Sequence, residues 1–595
     1  MAETAYPRPQ LVREHWLSLN GQWKFAFDNN KQFKHPSDPI EWTHDITVPY
    51  PPESKASGIA DRGFHSAVWY QREFDIQPEH GNILLHFGAV DYQCKVWVNG
   101  HQVIEHEGGH SSFHADITRA LGEGTRHTLT VYVEDDPLDL AKPRGKQDWQ
   151  LEPHSIWYPR TTGIWQTVWL ERVPTTYIKT LRWTPHFDGF EVGCETIIAG
   201  DLQEDLTVEV KIRNGRKVLS DDRYKVISGE ANRRIAISDP GIDDSRNELL
   251  WSPEHPTLLD VDVILRHGEE VIDKVKSYTA LRSVEINRDR FMLNGRPYHL
   301  KLVLDQGYWP DSLLTPPDDD ALRRDVELAK AMGFNGVRKH QKIEDPRYLY
   351  WADRLGLLVW EEMPSSYRFT PQAINRMVRE WTEVIDRDYS HPCIIVWVPF
   401  NESWGVPNLT SMQAHRNAVE ALYHLTRTLD QTRPVIGNDG WEASATDLLG
   451  IHDYDPDPER IAVRYSHQNA KDLFDRRRPG GRILTLDGYP HRGQPIVLTE
   501  FGGITYAKKP EEGVNGVWGY SLAASDQEFL DAYKRLLEVV NETPLFSGFC
   551  YTQFADTFQE ANGLLTADRS PKLPLSEIFD ATRNVKPNQK RSYGI

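Results

Sequence analysis

Cysteine is scarce in this chain. Four residues, Cys94, Cys194, Cys393 and Cys550, are spread over 595 positions with no CxxC pair, which argues against a disulfide framework or a thiolate metal site. Each lies in an apolar or strand-like setting, where a reduced, buried thiol is expected. Basic charge is also in deficit: 68 Lys and Arg against 87 Asp and Glu leave a formal charge of -19. Such a field repels phosphate backbones and anionic bilayers, so neither nucleic acid nor membrane is an expected partner. No stretch reaches membrane-spanning length, and the opening MAETAYPRPQ has no basic segment followed by an apolar run, so a cytoplasmic location is expected. There is no internal repeat, low-complexity tract, HExxH pair or histidine-rich cluster. No cofactor and no metal are therefore expected.

What is present is an ordinary globular composition, 39% hydrophobic with 19 Trp and 24 Tyr, in a chain long enough for two to four domains. The first third reads as short strands such as Asn82–Phe87, Cys94–Val98 and Leu129–Val133, divided by turns such as Asn99-Gly100. A jelly-roll sandwich over residues 1–174 follows, ending at the hinge-like Val173-Pro174. Residues 175–283 again alternate apolar and polar positions, as in Leu206–Ile212 and Leu258–Leu265, and read as an immunoglobulin-like sandwich. From residue 284 to 595 apolar strands alternate with amphipathic helices, the first of them Asp318–Met332 with Leu322, Val326 and Ala329 on one face. Strands at Tyr298–Val303, Asn335–Arg338, Leu357–Trp360, Ile394–Val398, Pro434–Gly437, Leu448–Ile451, Ile496–Thr499 and Phe546–Tyr551 make a (β/α)8 TIM barrel.

Barrel enzymes carry their chemistry at the C-terminal ends of strands. Two carboxylates stand there: Glu402 closes the fourth strand after Asn401, and Glu500 closes the seventh. Two glutamates converging on one cleft supply both halves of glycoside hydrolysis, one donating a proton to the leaving oxygen and the other attacking the anomeric carbon. A single glutamate after a strand is more simply a salt-bridged cap; a pair in this setting shifts the balance to catalysis.

The chain closely resembles glycoside hydrolase family 2, the β-galactosidase, β-glucuronidase and β-mannosidase group, over nearly its full length. The matching stretches include Leu17–Phe25 (LSLNGQWKF), Val96–Gly100 (VWVNG) and Gly163–Leu170 (GIWQTVWL). In the barrel they are Phe291–Pro297 (FMLNGRP), Asp353–Trp360 (DRLGLLVW), His391–Trp397 (HPCIIVW), Asn401-Glu402 and Thr499–Gly503 (TEFGG). The resemblance implies a retaining exo-glycosidase acting on a glycoside or oligosaccharide, with Glu402 as acid/base and Glu500 as nucleophile. It also implies that Asn401 binds the sugar 2-hydroxyl, that Arg338 holds the nucleophile ionised, and that His452 and Tyr454 lie near it. Trp397 reads as barrel core. The large sandwich surfaces leave room for a homo-oligomer.

Departures from the family pattern bear on the sugar. After the second strand the usual Arg-Thr-Ser-His is Arg338-Lys339-His340-Gln341, so His340 or Gln341 replaces the usual histidine. The eighth strand offers Gln553 or Phe554 where a tryptophan is usual. The Asn-x-Lys that clamps a uronate in β-glucuronidases is absent from Gln559-Glu560-Ala561-Asn562-Gly563. Glu560 there would repel a uronate, so a β-galactoside is expected first, with Asp305, Asp439 and Gln553 as partners for its axial hydroxyl. A β-glucuronidase clamped by Lys301, Lys339 or Arg338, a β-mannosidase and an α-L-arabinofuranosidase or arabinosidase are the alternatives. From other classes, a carbohydrate-binding protein without catalysis and a metal-dependent hydrolase remain as competitors.

Overall fold

The computed structural model describes residues 6–77, 80–237, 247–475, 482–507 and 517–586; the opening MAETA lies outside them. The N-terminal sandwich packs a six-stranded antiparallel sheet against a four-stranded one. Alternate positions of Gly21–Phe27, Ala67–Asp75, Asn82–Phe87 and Arg126–Glu134 bury Trp23, Phe25, Val68, Tyr70, Leu85 and Val131 between the layers. Between strands Gln93–Val98 and His101–Glu107, Asn99 and Gly100 both adopt positive φ, 50° and 81°. That is the two-residue turn whose twist suits a hairpin.

The second sandwich has a three-stranded and a four-stranded sheet. Strands Leu206–Asn214 and Leu259–His267 pair antiparallel and alternate buried with half-buried positions along their length, as period-two patterning demands. The four cysteines are buried and free.

The barrel's parallel sheet contains Leu300–Asp305, Gly336–Lys339, Leu358–Glu362, Ile394–Val398, Leu449–His452, Ile496–Gly502 and Phe546–Thr552. The fifth position of the barrel is not a continuous strand. Val435 bridges Trp397 and Asp439 bridges Asn401, both parallel, and Gly440 O accepts from His452 N. This segment thus links the fourth strand to the sixth. Pro434 brings no N–H to a ladder there. Helices such as Asp319–Ala331 cover the outside; Asp318 caps this one by accepting from Ala321 N, while Leu322, Val326 and Ala329 face inward. Trp397 is fully buried and donates to Asp430, 2.8 Å away. It is core.

Candidate active site

Both glutamates emerge where apolar strands run out into the mouth of the barrel. Glu402 has φ 51° and Ser403 φ 59°, left-handed values costly for side-chain-bearing residues. The neighbours hold the distortion: Glu402 N donates to Asp439 O at 3.0 Å and Ser403 N to Asn438 Oδ1 at 2.9 Å. A carboxylate oxygen of Glu402, one of Glu500 and a ring nitrogen of His452 all lie within 4.8 Å of one another. The side chains retain 15% and 6% exposure for Glu402 and Glu500, so both reach the cleft.

Arg338 is the hub beneath them. It is fully buried and forks to Glu362 at 2.7 Å, Glu500 at 3.0 Å, Asp439 at 3.2 Å and Asn401 Oδ1 at 2.6 Å. Burial disfavours its charge, but those three carboxylates hold it protonated. Burial likewise opposes ionisation of Asp439, yet Arg338 and His452 pull it down to about 2. Glu362 is pushed up to about 7 by burial, against the pull of Arg338. Tyr454 donates its hydroxyl to Glu500 Oε2 at 2.6 Å. The Nδ2 group of Asn401 has no partner among the described residues, so one donor still faces the cleft.

His452 stands between the glutamates, its Nδ1 2.7 Å from Glu402 and 3.4 Å from Glu500. Burial disfavours the imidazolium, but Glu500, Asp439 and Glu402 together push its pKa up from 6.5 to about 10. Burial raises the Glu402 carboxyl, but His452, with Lys146 and Arg338 beyond it, outweighs that and holds it below its usual range. Because the folded-state pKa of His452 is raised, its stabilisation is complete below pH 6.5 and is lost as pH rises through about 10. His452→Gln should therefore flatten the fall in Tm over that interval, measured by thermal scans at stepped pH. An unchanged slope would count against the charged bridge.

Not every expected residue reaches the pair with free groups. The Oδ1 of Asp305 accepts from Gly307 N at 2.9 Å and its Oδ2 from Lys339 at 2.6 Å. Gln553 accepts from Gln306 and donates to Asn562, both its polar atoms engaged in a fully buried chain. Asp439 accepts from Thr499 Oγ1 at 2.8 Å and otherwise faces Arg338 and His452. All three thus already have internal partners on their polar atoms. His340 Nδ1 sits 3.0 Å from Glu362, and burial and Arg338 keep it neutral. The alternative clamps are also committed: Lys301 to Asn541 and the Thr582 carbonyl, and Lys339 to Asp305 and Glu344.

The structure adds residues that the sequence did not single out. Glu362 ends the apolar strand Leu358–Glu362, whereas Glu402 lies beyond Ile394–Val398 and Glu500 within Ile496–Gly502; a carboxylate at the close of an apolar run was a legible signal. Lys146 carried none. It arrives from the first sandwich on a loop that docks on the barrel, where Arg144 N and Gly145 N both donate to Ser365 O at 3.0 Å. Gly145 has φ 59°, and a Cβ there would lie 2.4 Å from Gln341 O, so only glycine permits this approach. Burial lowers the Lys146 ammonium, while Glu560, Glu500 and Glu402 pull the other way. Among the described residues no carboxylate lies within ion-pair distance of it. Glu560 is buried nearby, raised by that burial, and accepts a hydrogen bond from Tyr158 of the same sandwich loop.

Among the described residues, two carboxylate-containing clusters are compact enough to hold a metal: Glu402–His452–Glu500 and Asp353–His391–Cys393. In the second, Asp353 already accepts from Tyr278, His391 and Cys393 N. In the first, a charged His452 has no lone pair for a metal on Nδ1.

Comparison with known proteins agrees with this architecture. The pattern for the glycosyl hydrolases family 2 TIM barrel domain matches residues 284–586, the family's sugar binding domain 39–174, and its remaining domain 176–282. A β-galactosidase of Thermoanaerobacter pseudethanolicus is 28% identical over 71% of this chain, a stretch spanning only 54% of that enzyme. A β-glucuronidase of Rattus norvegicus is 26% identical over 76% of this chain and 73% of its own length. A solved family 2 β-galacturonidase from Eisenbergiella tayi, bound to galacturonate, superposes with a TM-score of 0.74 at 20% identity over 97% of this chain and 98% of that one. The last of these likenesses speaks for the fold alone. With its barrel and both preceding domains matched, the chain belongs to the glycosyl hydrolases family 2 and is a glycoside hydrolase.

Proposed function

We propose that this enzyme is a retaining exo-β-glycosidase in which Glu500 attacks the anomeric carbon and Glu402 protonates the departing oxygen, with neutral sugars, β-galactosides first, as its glycone. The observation that carries the reading is the approach of the strand-four and strand-seven carboxylate oxygens within 4.8 Å. Retaining enzymes hold their carboxyl groups about 5–5.5 Å apart, whereas an inverting pair needs about 6.5–9.5 Å to admit a water. Arg338 and Tyr454 keep the attacking oxygens of Glu500 oriented, and the free amide N–H of Asn401 suits a 2-hydroxyl. The proton that Glu402 must deliver is held one hydrogen bond away on His452, 2.7 Å distant. Moving it to Glu402 as the substrate displaces water leaves a neutral acid against the leaving oxygen. Once Glu500 is esterified, Glu402 acts as base for the incoming water.

The neutral sugar is favoured because Lys146 and Glu560 face the same cleft. Together they offer donors and acceptors to hydroxyl groups, while a uronate would have to compete with Glu560 for Lys146. Lys146 also favours a second reading, a β-uronide, since among the described residues no carboxylate lies within ion-pair distance of it. Initial rates on nitrophenyl β-galactoside, β-glucuronide, β-mannoside and α-L-arabinoside separate the two. The expected kcat/KM lead for the galactoside over the glucuronide is about tenfold or more. A lead for the glucuronide that Lys146→Met abolishes would replace the neutral reading with the uronide one.

A further inference from the structure

Close to Glu402, four aromatic side chains from three separate segments meet. Trp149 and Trp157 come from the sandwich loop, Tyr367 from the loop after the third barrel strand, and Trp404 from two residues beyond Glu402. Ring centroids lie 4.7 Å apart for Trp149–Trp157, 5.3 Å for Trp149–Tyr367, 5.6 Å for Trp157–Trp404 and 5.3 Å for Tyr367–Trp404. The group is held rigid from behind: Trp157 Nε1 donates to the Tyr367 hydroxyl at 2.9 Å, which donates to Gly145 O at 2.6 Å. Tyr367 N in turn donates to Leu140 O of the sandwich at 2.9 Å. Trp149, Tyr367 and Trp404 are half-buried rather than buried, and the indole N–H groups of Trp149 and Trp404 have no partner among the described residues. Half-buried aromatic rings braced by the Trp157–Tyr367–Gly145 hydrogen bonds are poorly explained as core. Burial raises the Tyr367 hydroxyl, with Glu402 among the charges that add to it, and Trp404 follows Glu402 by two residues, so the group lies near the proposed proton donor.

We infer that Trp149, Trp157, Tyr367 and Trp404 form the subsite for the leaving group, taking a ring with a flat apolar face, either an aryl group or a second sugar. The inference rests on the proposal that Glu402 is the proton donor, since the departing oxygen must then lie on Glu402's side of the cleft. A ring attached to that oxygen would be carried past Glu402 toward Trp404 and covered by the sandwich loop. The first sandwich would thus contribute to leaving-group selection as well as supplying Lys146.

The test compares substrates that share a glycone and differ only in what departs: β-galactosyl fluoride, 4-nitrophenyl β-galactoside and β-1,4-galactosyl-glucose, or the same three on whichever glycone leads the panel above. Fluoride is a single atom and reaches no wall. In Trp149→Ala and in Trp404→Ala, kcat/KM for the ring-bearing substrates relative to the fluoride should fall about five- to tenfold. Trp149→Phe, which keeps a ring, should restore most of that ratio. A loss confined to the nitrophenyl substrate assigns the subsite to aryl groups, and one confined to the disaccharide assigns it to a sugar. Equal losses on all three substrates, or an unchanged ratio, would overturn the subsite while leaving the hydrolase reading intact. If the wild-type enzyme turned over none of them, nor any glycoside of the panel, the catalytic reading itself would fall and the subsite with it.

Discussion

Glu500→Ala is expected to lower kcat/KM by at least about 10⁴-fold on every glycoside, because no other carboxylate among the described residues is placed to form the covalent intermediate. Glu362 and Asp439, the nearest alternatives, are both engaged by Arg338 beneath the cleft. Glu402→Ala should behave differently. Substrates with good leaving groups need little protonation and should retain turnover of the first step, while the second step, deprived of its base, becomes limiting. Added azide, a nucleophile that needs no base, should then accelerate turnover and give a β-glycosyl azide. An α-azide product would point to inversion, and full activity in either variant would remove that residue from the mechanism.

Arg338→Met should produce the second largest effect, and on two properties at once. The guanidinium is fully buried and compensates Glu362, Asp439 and Glu500 while fixing Asn401. Deleting one partner of a buried ionic network leaves uncompensated charge and costs about 3–5 kcal/mol. The variant should therefore melt well below the wild type. It should also lose about 10³-fold in kcat, because Glu500 gives up its orienting donor and Asn401 loses the guanidinium that fixes it. Arg338→Lys retains charge but cannot fork to several acceptors, so it should recover some stability and little activity. A Met variant with wild-type Tm would show that the network contributes nothing, and one with wild-type kcat would show that Glu500 needs no such support.

The pair of glutamates was legible because the information lies close in sequence. Ile394–Val398 and Ile496–Thr499 are apolar runs too short for helices, bounded by helix-forming segments, and a carboxylate at the end of such a run in a parallel sheet must face the barrel mouth. The same reasoning would have found Glu362, had the third strand been followed beyond Trp360. The eight barrel segments, the capped helix at Asp319 and the turn at Asn99-Gly100 were legible on similar grounds, since periodicity, capping and turn chemistry act within a few residues. Asp305 and Gln553 show the limit of this reading. Their strand-end positions were visible, but not that Lys339 and Gly307, or Gln306 and Asn562, already occupy their polar atoms.

What the sequence by itself determined, then, is the succession of two sandwiches and a barrel and the placing of Glu402 and Glu500 at strand ends, because local patterning dictates both. Only the tertiary structure decided what surrounds them. Tyr158 meets Glu560 across 402 residues and Trp157 meets Tyr367 across 210. Lys146 is brought to the barrel because a sandwich loop docks there through Gly145. No periodicity encodes such meetings. They arise from the shape complementarity of two domains, each folded by its own core, and that docking brings Lys146, Trp149 and Trp157 to the barrel.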